Sequence, residues 1–360
     1  MKNTKMTRRR ALAGVGSLAA TASLTRADEP KLIGEPPGRI APRTELVNVL
    51  EFGGVAQRML SPLAFARISG SDRSYFDRIT LRPRMCVPTT HLDMTVDMLG
   101  MKLFTPIIVG PISKMQQYHA EGEVAMAQGA AAAKTAMIVS SESSLPLDKI
   151  AAEAKAGLWY QIFPEGDAGA VRTQIQQAVS AGCKAVMLTV GAFYRDREGP
   201  PDPARLAAAP LVDWRVVDQL RHGLTVPFLI KGIMNPAEAD AAARHGIQGI
   251  VVSDYGGLLT RGLAPPMETL PAVVDAVNGR IPVLVDGNFR RGSDIFKALA
   301  FGAKAVLLGR PPVWGLAAYG APGVQSVLEM LQTDLGRDLA MCGKINPAAI
   351  DRTAVKVHQV

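Results

Sequence analysis

Between Val285 and Pro311 the chain reads VDGNFRRGSDIFKALAFGAKAVLLGRP, two apolar runs that each end in glycine with arginine close behind. Arginine and glycine in that arrangement can hold a phosphate. Asp286-Gly287-Asn288-Phe289-Arg290 follows a predicted strand at Ile281–Val285 and leads into a helix from Ser293; Gly309-Arg310 follows a second strand at Ala305–Leu308. Glycines let backbone N–H groups approach an anion, a helix N-terminus adds a favourable dipole, and guanidinium groups supply bidentate donors. The alternative is that Arg290, Arg291 and Arg310 are solvated surface charges. Cations at a helix start oppose the macrodipole, so a bound anion accounts for them better.

Something must position this cradle, and the apolar runs name it. From residue 106 onward short strand-like runs recur at 106–110, 136–140, 158–163, 185–190, 227–233, 249–253, 281–285 and 305–308. Helical patterns at 121–133, 169–180, 213–221, 236–244, 267–278 and 293–301 lie between them. Eight strands alternating with helices predict a closed (β/α)8 TIM barrel, of the α/β class, with an N-terminal extension. A doubly wound open sheet is the alternative, but it would carry a GxGxxG loop after its first strand, where this chain has Gly110-Pro111-Ile112-Ser113. In such barrels catalytic groups sit at the C-terminal strand ends and phosphate binds after strands seven and eight. Those ends bring together Pro111, Ser113, Ser140, Gln161, Thr189, Lys231, Ser253 and Tyr255 with the cradle. Small hydroxyls, one amide and one lysine suit a heteroaromatic ring with a phosphorylated tail. They do not suit a metal, and the five histidines sit at none of these ends, with only His119 in a nearby loop.

Composition sets the outer limits. The chain has 360 residues and is 48% hydrophobic, with no apolar run that suggests an integral membrane protein. Residues 1–27 hold a basic start, an apolar stretch at 11–24 and the sequence Thr7-Arg8-Arg9-Arg10-Ala11-Leu12, which resembles a twin-arginine export signal. Removing that segment, with its six basic and no acidic side chains, lowers the formal charge from +8 to +2, so no nucleic-acid footprint remains. The expected organisation is a signal at 1–27, a linker and extension at 28–60, the barrel at 61–345 and a tail at 346–360. The expected location is periplasmic or otherwise exported, with no membrane span after signal removal. Cys86, Cys183 and Cys342 form no CxxC pair and read as buried apolar fillers.

Several segments together carry a family resemblance. Leu81-Arg82-Pro83-Arg84, the loop from Pro111 to Glu123, Leu188-Thr189-Val190, Leu229-Ile230-Lys231-Gly232 and the 285–311 motif resemble FMN-dependent α-hydroxy-acid oxidases and dehydrogenases, of which glycolate and lactate oxidases are typical. The resemblance spans about residues 63–343. It implies FMN as cofactor, a small-molecule substrate and a homo-oligomer. It places FMN on Pro111, Ile112, Ser113, Ser140, Gln161, Thr189, Lys231 and Ser253. Its phosphate falls on Asp286, Gly287, Asn288, Phe289, Arg290, Gly309 and Arg310. Lys231 has a physical case of its own, because a lysine projecting into a barrel mouth needs an anionic partner. Reduced flavin offers one at its N1–C2=O edge; a carboxylate such as Asp286 is the alternative.

The departures from the family pattern concern the substrate. Where the pattern after strand six is Ser-Asn-His-Gly-Gly-Arg, with histidine accepting a proton and arginine holding a carboxylate, this chain has Ser253-Asp254-Tyr255-Gly256-Gly257-Leu258. Tyrosines of the pattern become Ala66 and Phe163, and an aspartate becomes Gly191. A second arginine of the pattern corresponds to Arg197 if one residue is deleted, and the connection after strand four is short. An ordinary tyrosine, with a pKa near 10, is ionised in roughly one molecule per thousand at pH 7, a penalty of about 4 kcal/mol for a base. Tyr255 is therefore read as a proton donor or an orienting hydrogen bond, or else as an aromatic plug, and Arg197 as a substrate anion contact. Three functions follow: an FMN oxidoreductase with a non-standard substrate, a flavin-binding protein without catalysis, or a flavin-free barrel binding a phosphorylated metabolite.

Overall fold

The computed structural model describes residues 39–70, 72–164, 167–191, 212–255 and 264–358. The chain divides into Met1–Ile40 and Ala41–Val360, and the second unit holds the barrel. Its eight strands are β1 (Ile107–Val109), β2 (Ala136–Ser140), β3 (Leu158–Ile162), β4 (Val186–Thr189), β5 (Phe228–Ile233), β6 (Gly249–Val252), β7 (Val283–Asp286) and β8 (Ala305–Leu308). All neighbours pair in parallel, and β8 returns to β1 through Leu307 and Ile108, so the sheet closes. These strands are short runs of Val, Ile, Leu and Met buried on both faces, as a parallel sheet clad in helices requires.

The helices that follow the strands are α1 (Gly122–Ala132), α2 (Leu147–Glu153), α3 (Ala168–Ser180), α4 (Trp214–Arg221), α5 (Pro236–Arg244), α6 (Pro266–Val277), α7 (Gly292–Ala300) and α8 (Arg310–Met341). Local chemistry starts several of them. The side chains of Asp167, Asp213 and Asn235 accept from backbone N–H groups in the first turns of α3, α4 and α5. Alpha-8 is broken at Tyr319 and Gly320, where the backbone leaves helical geometry.

Two apolar layers hold the barrel. Inside it Ile108, Ile138, Trp159, Met187, Leu229, Val251, Leu284 and Leu307 form one cluster; the opposite strand faces pack on the helices in a larger one. An antiparallel hairpin, Val96–Met98 with Met101–Leu103, adds Met98 and Leu103 to the inner cluster. Trp159 Nε1 donates to Met101 Sδ at 3.1 Å beside the N-terminal start of β3, so the hairpin plugs the end of the barrel away from the strand C-termini. That leaves the C-terminal mouth for chemistry.

Elements absent from the sequence reading surround this frame. A helix at Val49–Met59, started by Asn48, sets Phe52 edge-on to Tyr319 with ring centroids 5.9 Å apart. Near the C-terminus, Val355–Val357 pairs antiparallel with Ile79–Leu81. Cysteine burial departs from expectation: Cys183 and Cys342 are buried, but Cys86 is exposed, in the irregular segment after Arg82 rather than in the core. Among the described residues no helix is long and apolar enough to cross a membrane.

Candidate functional site

A belt of hydrogen bonds runs round the barrel mouth, one residue per strand end. Ser113 Oγ lies 3.2 Å from Ser140 Oγ; Ser140 donates to Gln161 Oε1 at 2.9 Å, and Gln161 Nε2 donates to Thr189 Oγ1 at 2.9 Å. Farther round, Lys231 Nζ donates to Ser253 Oγ at 2.9 Å and lies 3.0 Å from Asp286 Oδ2. Parallel register produces this belt, since Ser140 stands opposite Gln161 and Thr189 opposite Lys231. Ser140, Gln161, Thr189, Lys231 and Ser253 are buried and hydrogen-bonded to a neighbour in the belt, while Ser113 and Asp286 at its ends are half-buried.

Lys231 is aimed by a backbone irregularity. The register between β5 and β6 shifts between Lys231 and Ile233, and Gly232 between them has φ +110°. A side chain at Gly232 would also place Cβ 2.4 Å from the Val190 carbonyl oxygen, so only glycine allows this bulge. The carboxylate partner for Lys231 is present in Asp286, 3.0 Å away. Asp286 and Ser253 take two of its three N–H donors.

Beside the belt lies the arginine cradle. Gly287 and Asn288 both have positive φ, 108° and 61°, turning the chain sharply after β7. Arg290 is buried and stacks on Trp314 with its guanidinium carbon 4.5 Å from the ring centroid. Its Nη1 donates to the Phe289 carbonyl at 2.8 Å, whereas Nη2 is buried without a hydrogen-bond partner. Burial, and then the charges of Arg310 and Arg73, push the pKa of Arg290 down to about 9. A concentration of positive charge with an unsatisfied donor calls for an anion.

The first residues of α7 stabilise this geometry. Asp294 accepts from the backbone N–H groups of Arg290 and Arg291 at 2.8 and 2.9 Å and pairs with Arg73 at 2.9 Å. Gly292 approaches α8 so closely that a Cβ there would fall 2.2 Å from the Leu335 nitrogen. Arg310 donates to the carbonyls of Ser69 and Gly70 and to Asn288 Oδ1, and Asn288 Nδ2 donates to the Asp72 carbonyl at 2.8 Å. The segment before the barrel thus braces the cradle from outside. Arg291, grouped with the cradle in the sequence, is exposed and does not line the cavity between belt and cradle.

One cavity of about 250 Å³ joins belt and cradle. Pro111, Ile112, Ser113, Gln161, Thr189, Lys231, Tyr255, Asp286 to Arg290, Gly309 and Arg310 line it. Ser140 and Ser253 lie behind this wall, buried and bonded to lining residues. Arg197 and Leu258 fall outside the described residues. His119 is turned aside, accepting from the Glu121 N–H at 3.2 Å and resting against Gly320. Among the described residues no group of three His, Cys, Asp or Glu side chains is placed to hold a metal.

The same cavity is lined by Arg67, Tyr118 and Asp254, which sequence reasoning passed over. Arg67 and Asp254 each adjoin a position read above as altered, Ala66 and Tyr255, and only tertiary placement distinguishes them. Tyr255 is 36% exposed, with Lys231 Nζ 4.7 Å from its ring centroid. It forms an aromatic cover over the lysine at the mouth.

Comparison with known proteins decides the family. The sequence model described as FMN-dependent dehydrogenase matches residues 69–199 and 193–357. The chain belongs to that family. It is 35% identical to L-lactate oxidase of Nostoc sp. over 82% of this chain and 94% of that one. With glycolate oxidase of Spinacia oleracea it shares 31% identity over 86% and 96% of the two chains. A crystal structure of mandelate oxidase superposes with a TM-score of 0.81 at 30% identity, covering 88% of this chain and all of the other. The protein is accordingly an FMN-dependent oxidoreductase, and the flavin-free reading falls away.

The residues present fit that cofactor. Arg290 Nη2 is the orphaned donor that a phosphate would satisfy, and the positive-φ turn at Gly287-Asn288 exposes backbone beside it. Amide, hydroxyl and lysine donors from four strands converge on the rest of the cavity, as a polar heteroaromatic ring requires.

Proposed function

We propose that this FMN-dependent oxidoreductase holds the cofactor phosphate on Gly287 to Arg290 and Arg310, and its ring beside Pro111 to Ser113, Gln161, Thr189 and Lys231. Its substrate, in this reading, is not a simple 2-hydroxy acid. The observation that carries the substrate reading is Tyr255, whose ring covers Lys231 at the cavity mouth where the family pattern has a histidine. Bound FMN supplies a two-electron acceptor or donor for hydride. The protein's part is to orient, to exclude water and to handle the proton. Lys231, fixed by Asp286 and Ser253, presents positive charge toward the ring site. Tyr255 donates a hydrogen bond or a proton, since an ordinary phenol, with a pKa near 10, is scarcely ionised at neutral pH and serves poorly as a base. Tyr118, Phe163 and Arg67 complete the substrate side, an aromatic-walled space with one cation.

The experiment is anaerobic mixing of the flavin-loaded protein with lactate, glycolate and mandelate, followed through the visible flavin absorbance, alongside Tyr255→His. Slow or absent bleaching by all three acids, with acceleration in the histidine variant, is the expected result. Turnover of lactate or glycolate by the natural protein at ordinary enzyme rates, about 1–1,000 per second, would overturn the substrate reading.

Residues 1–27 complete the proposal as a twin-arginine leader that sends the folded, flavin-loaded protein to the periplasm, followed by a linker and extension to residue 60. N-terminal sequencing of protein recovered from the periplasmic fraction tests it. A chain still starting at Met1 and confined to the cytoplasm would refute it.

A further inference from the structure

The belt at the barrel mouth does not stop at Ser113. Ser113 Oγ donates to Glu142 Oε2 at 3.0 Å, so a carboxylate terminates a line of side chains that runs Thr189, Gln161, Ser140, Ser113, Glu142. Glu142 lies in the loop just after β2 and is half-buried. Its backbone is held without help from its side chain. The Lys114 N–H donates to the Glu142 carbonyl at 3.0 Å, and Glu123 Oε1 accepts from the N–H groups of Met115 and Ser144 at 2.9 and 2.8 Å. The loops after β1 and β2 are thereby stitched together on either side of the Ser113–Glu142 contact.

Four links join these five side chains, and each hydroxyl has one proton to give. A carboxylate oxygen only accepts, which commits the Ser113 proton to Glu142. With Ser140 donating to Gln161, the 3.2 Å contact between the two serine oxygens holds no proton. A half-turn of the Gln161 amide exchanges its oxygen and nitrogen at unchanged positions and fills that gap. Thr189 then donates to Gln161, Gln161 to Ser140, Ser140 to Ser113 and Ser113 to Glu142. Ser140 keeps a lone pair for the Glu142 N–H, 3.2 Å away. All four links are now occupied, and successive bonds in one direction polarise one another. Ser140, Gln161 and Thr189 are buried, so water does not compete for these protons.

The direction of the line matters in the cavity, which Ser113, Gln161 and Thr189 help to line. In the filled arrangement the Thr189 proton goes to Gln161, and Thr189 shows the cavity only lone pairs; in the other its hydroxyl is free to donate there. We propose that Glu142 is a positioning residue: acting through Ser113, it turns the hydrogen bonds of the belt toward itself, so that Thr189 meets the flavin ring as an acceptor and the ring is harder to reduce. The proposal rests on the reading that the ring lies beside Ser113, Gln161 and Thr189. Reduction adds electron density to the ring, which a facing lone pair opposes and a facing O–H donor favours.

An amide at residue 142 can donate to Ser113 as well as accept from it, so Glu142→Gln lets the line run the other way and frees the Thr189 proton. The midpoint potential of FMN bound to the full-length protein, measured by visible absorbance against indicator dyes, should rise in this variant. The expected change is about tenfold in the equilibrium between reduced and oxidised cofactor, or about 30 mV for two electrons. Ser113→Ala keeps the carboxylate but cuts the link, leaves Ser140 only Gln161 to donate to, and should raise the potential by a similar amount. The double variant should rise no further than either single one. A carboxylate acting on the ring through space would instead leave Ser113→Ala unshifted. That result, additive shifts in the double variant, or no rise in Glu142→Gln would overturn the proposal, and Ser113→Ala carries the prediction by itself if Glu142→Gln does not fold. Gln161→Leu separates this inference from the placement of the ring. Potential and FMN affinity both unmoved in Gln161→Leu would refute the placement, whereas a response there with none in the other variants would sink the role of Glu142 alone.

Discussion

Replacing Lys231 by methionine should destabilise the flavin-free protein in a pH-dependent way. Lys231 and Asp286 side chains are 4% and 19% exposed and 3.0 Å apart, so Lys231→Met leaves a largely buried carboxylate without its cation. Breaking a buried pair by removing one partner costs about 3–5 kcal/mol. Asp286 has an escape, since it can take up a proton. For an ordinary carboxylate that costs about 4 kcal/mol at pH 7 and under about 1 kcal/mol at pH 4.5. Partial exposure of Asp286 retains some hydration, which lowers the expected loss to about 2–3 kcal/mol at neutral pH and to about 1 kcal/mol at pH 4.5. Denaturant titrations of the flavin-free protein at both pH values measure it, and adding Asp286→Asn to the variant should recover most of the neutral-pH loss. An equal loss at both pH values, unrelieved by the second change, would mean that Lys231 matters through packing rather than charge, and the electrostatic account of the belt would be wrong.

Arg290→Lys keeps a cation but loses the guanidinium fork whose Nη2 lies buried without a partner. FMN affinity should fall about 10- to 100-fold, the equivalent of one charge-assisted hydrogen bond, while riboflavin, which lacks the phosphate, should bind the variant and the natural protein equally in fluorescence titrations. Asp338 on α8 has its pKa raised to about 6, by burial first and then by Asp334, with Lys297 opposing and Asp294 adding to the rise. Because the folded value exceeds the unfolded one, stability falls as pH rises from about 4 to about 6 and stays lower above that. Asp338→Asn should therefore stabilise the protein at pH 7 by about 1 kcal/mol after allowance for solvent screening, and do little near pH 4; melting curves that show the gain at acid pH instead would contradict this.

The barrel was legible because its strands are short apolar runs of nearly constant form, each punctuated by a polar or glycine residue. The predicted 136–140, 236–244 and 305–308 segments coincide with β2, α5 and β8. The helix at Val49–Met59 was not, since Phe52 and Gly53 gain meaning only against Tyr319 and Trp314 more than 250 residues away. Strand-end polar residues could be named from the alternation alone. Arg73 could not, because nothing local marks an arginine that reaches Asp294 and the Asn288 carbonyl.

The sequence by itself determined the barrel and placed the glycine-arginine segments at two strand ends, because strand periodicity and residue order are local properties of the chain; the cofactor class came from the family resemblance. Tertiary structure decided how these groups share charge. It paired Lys231 with Asp286, buried Arg290 with a donor to spare, and brought Asp254 into the same cavity as Arg310. Those outcomes depend on distances between strand ends and on the burial that removes water from between charges. Neither quantity exists until the barrel closes.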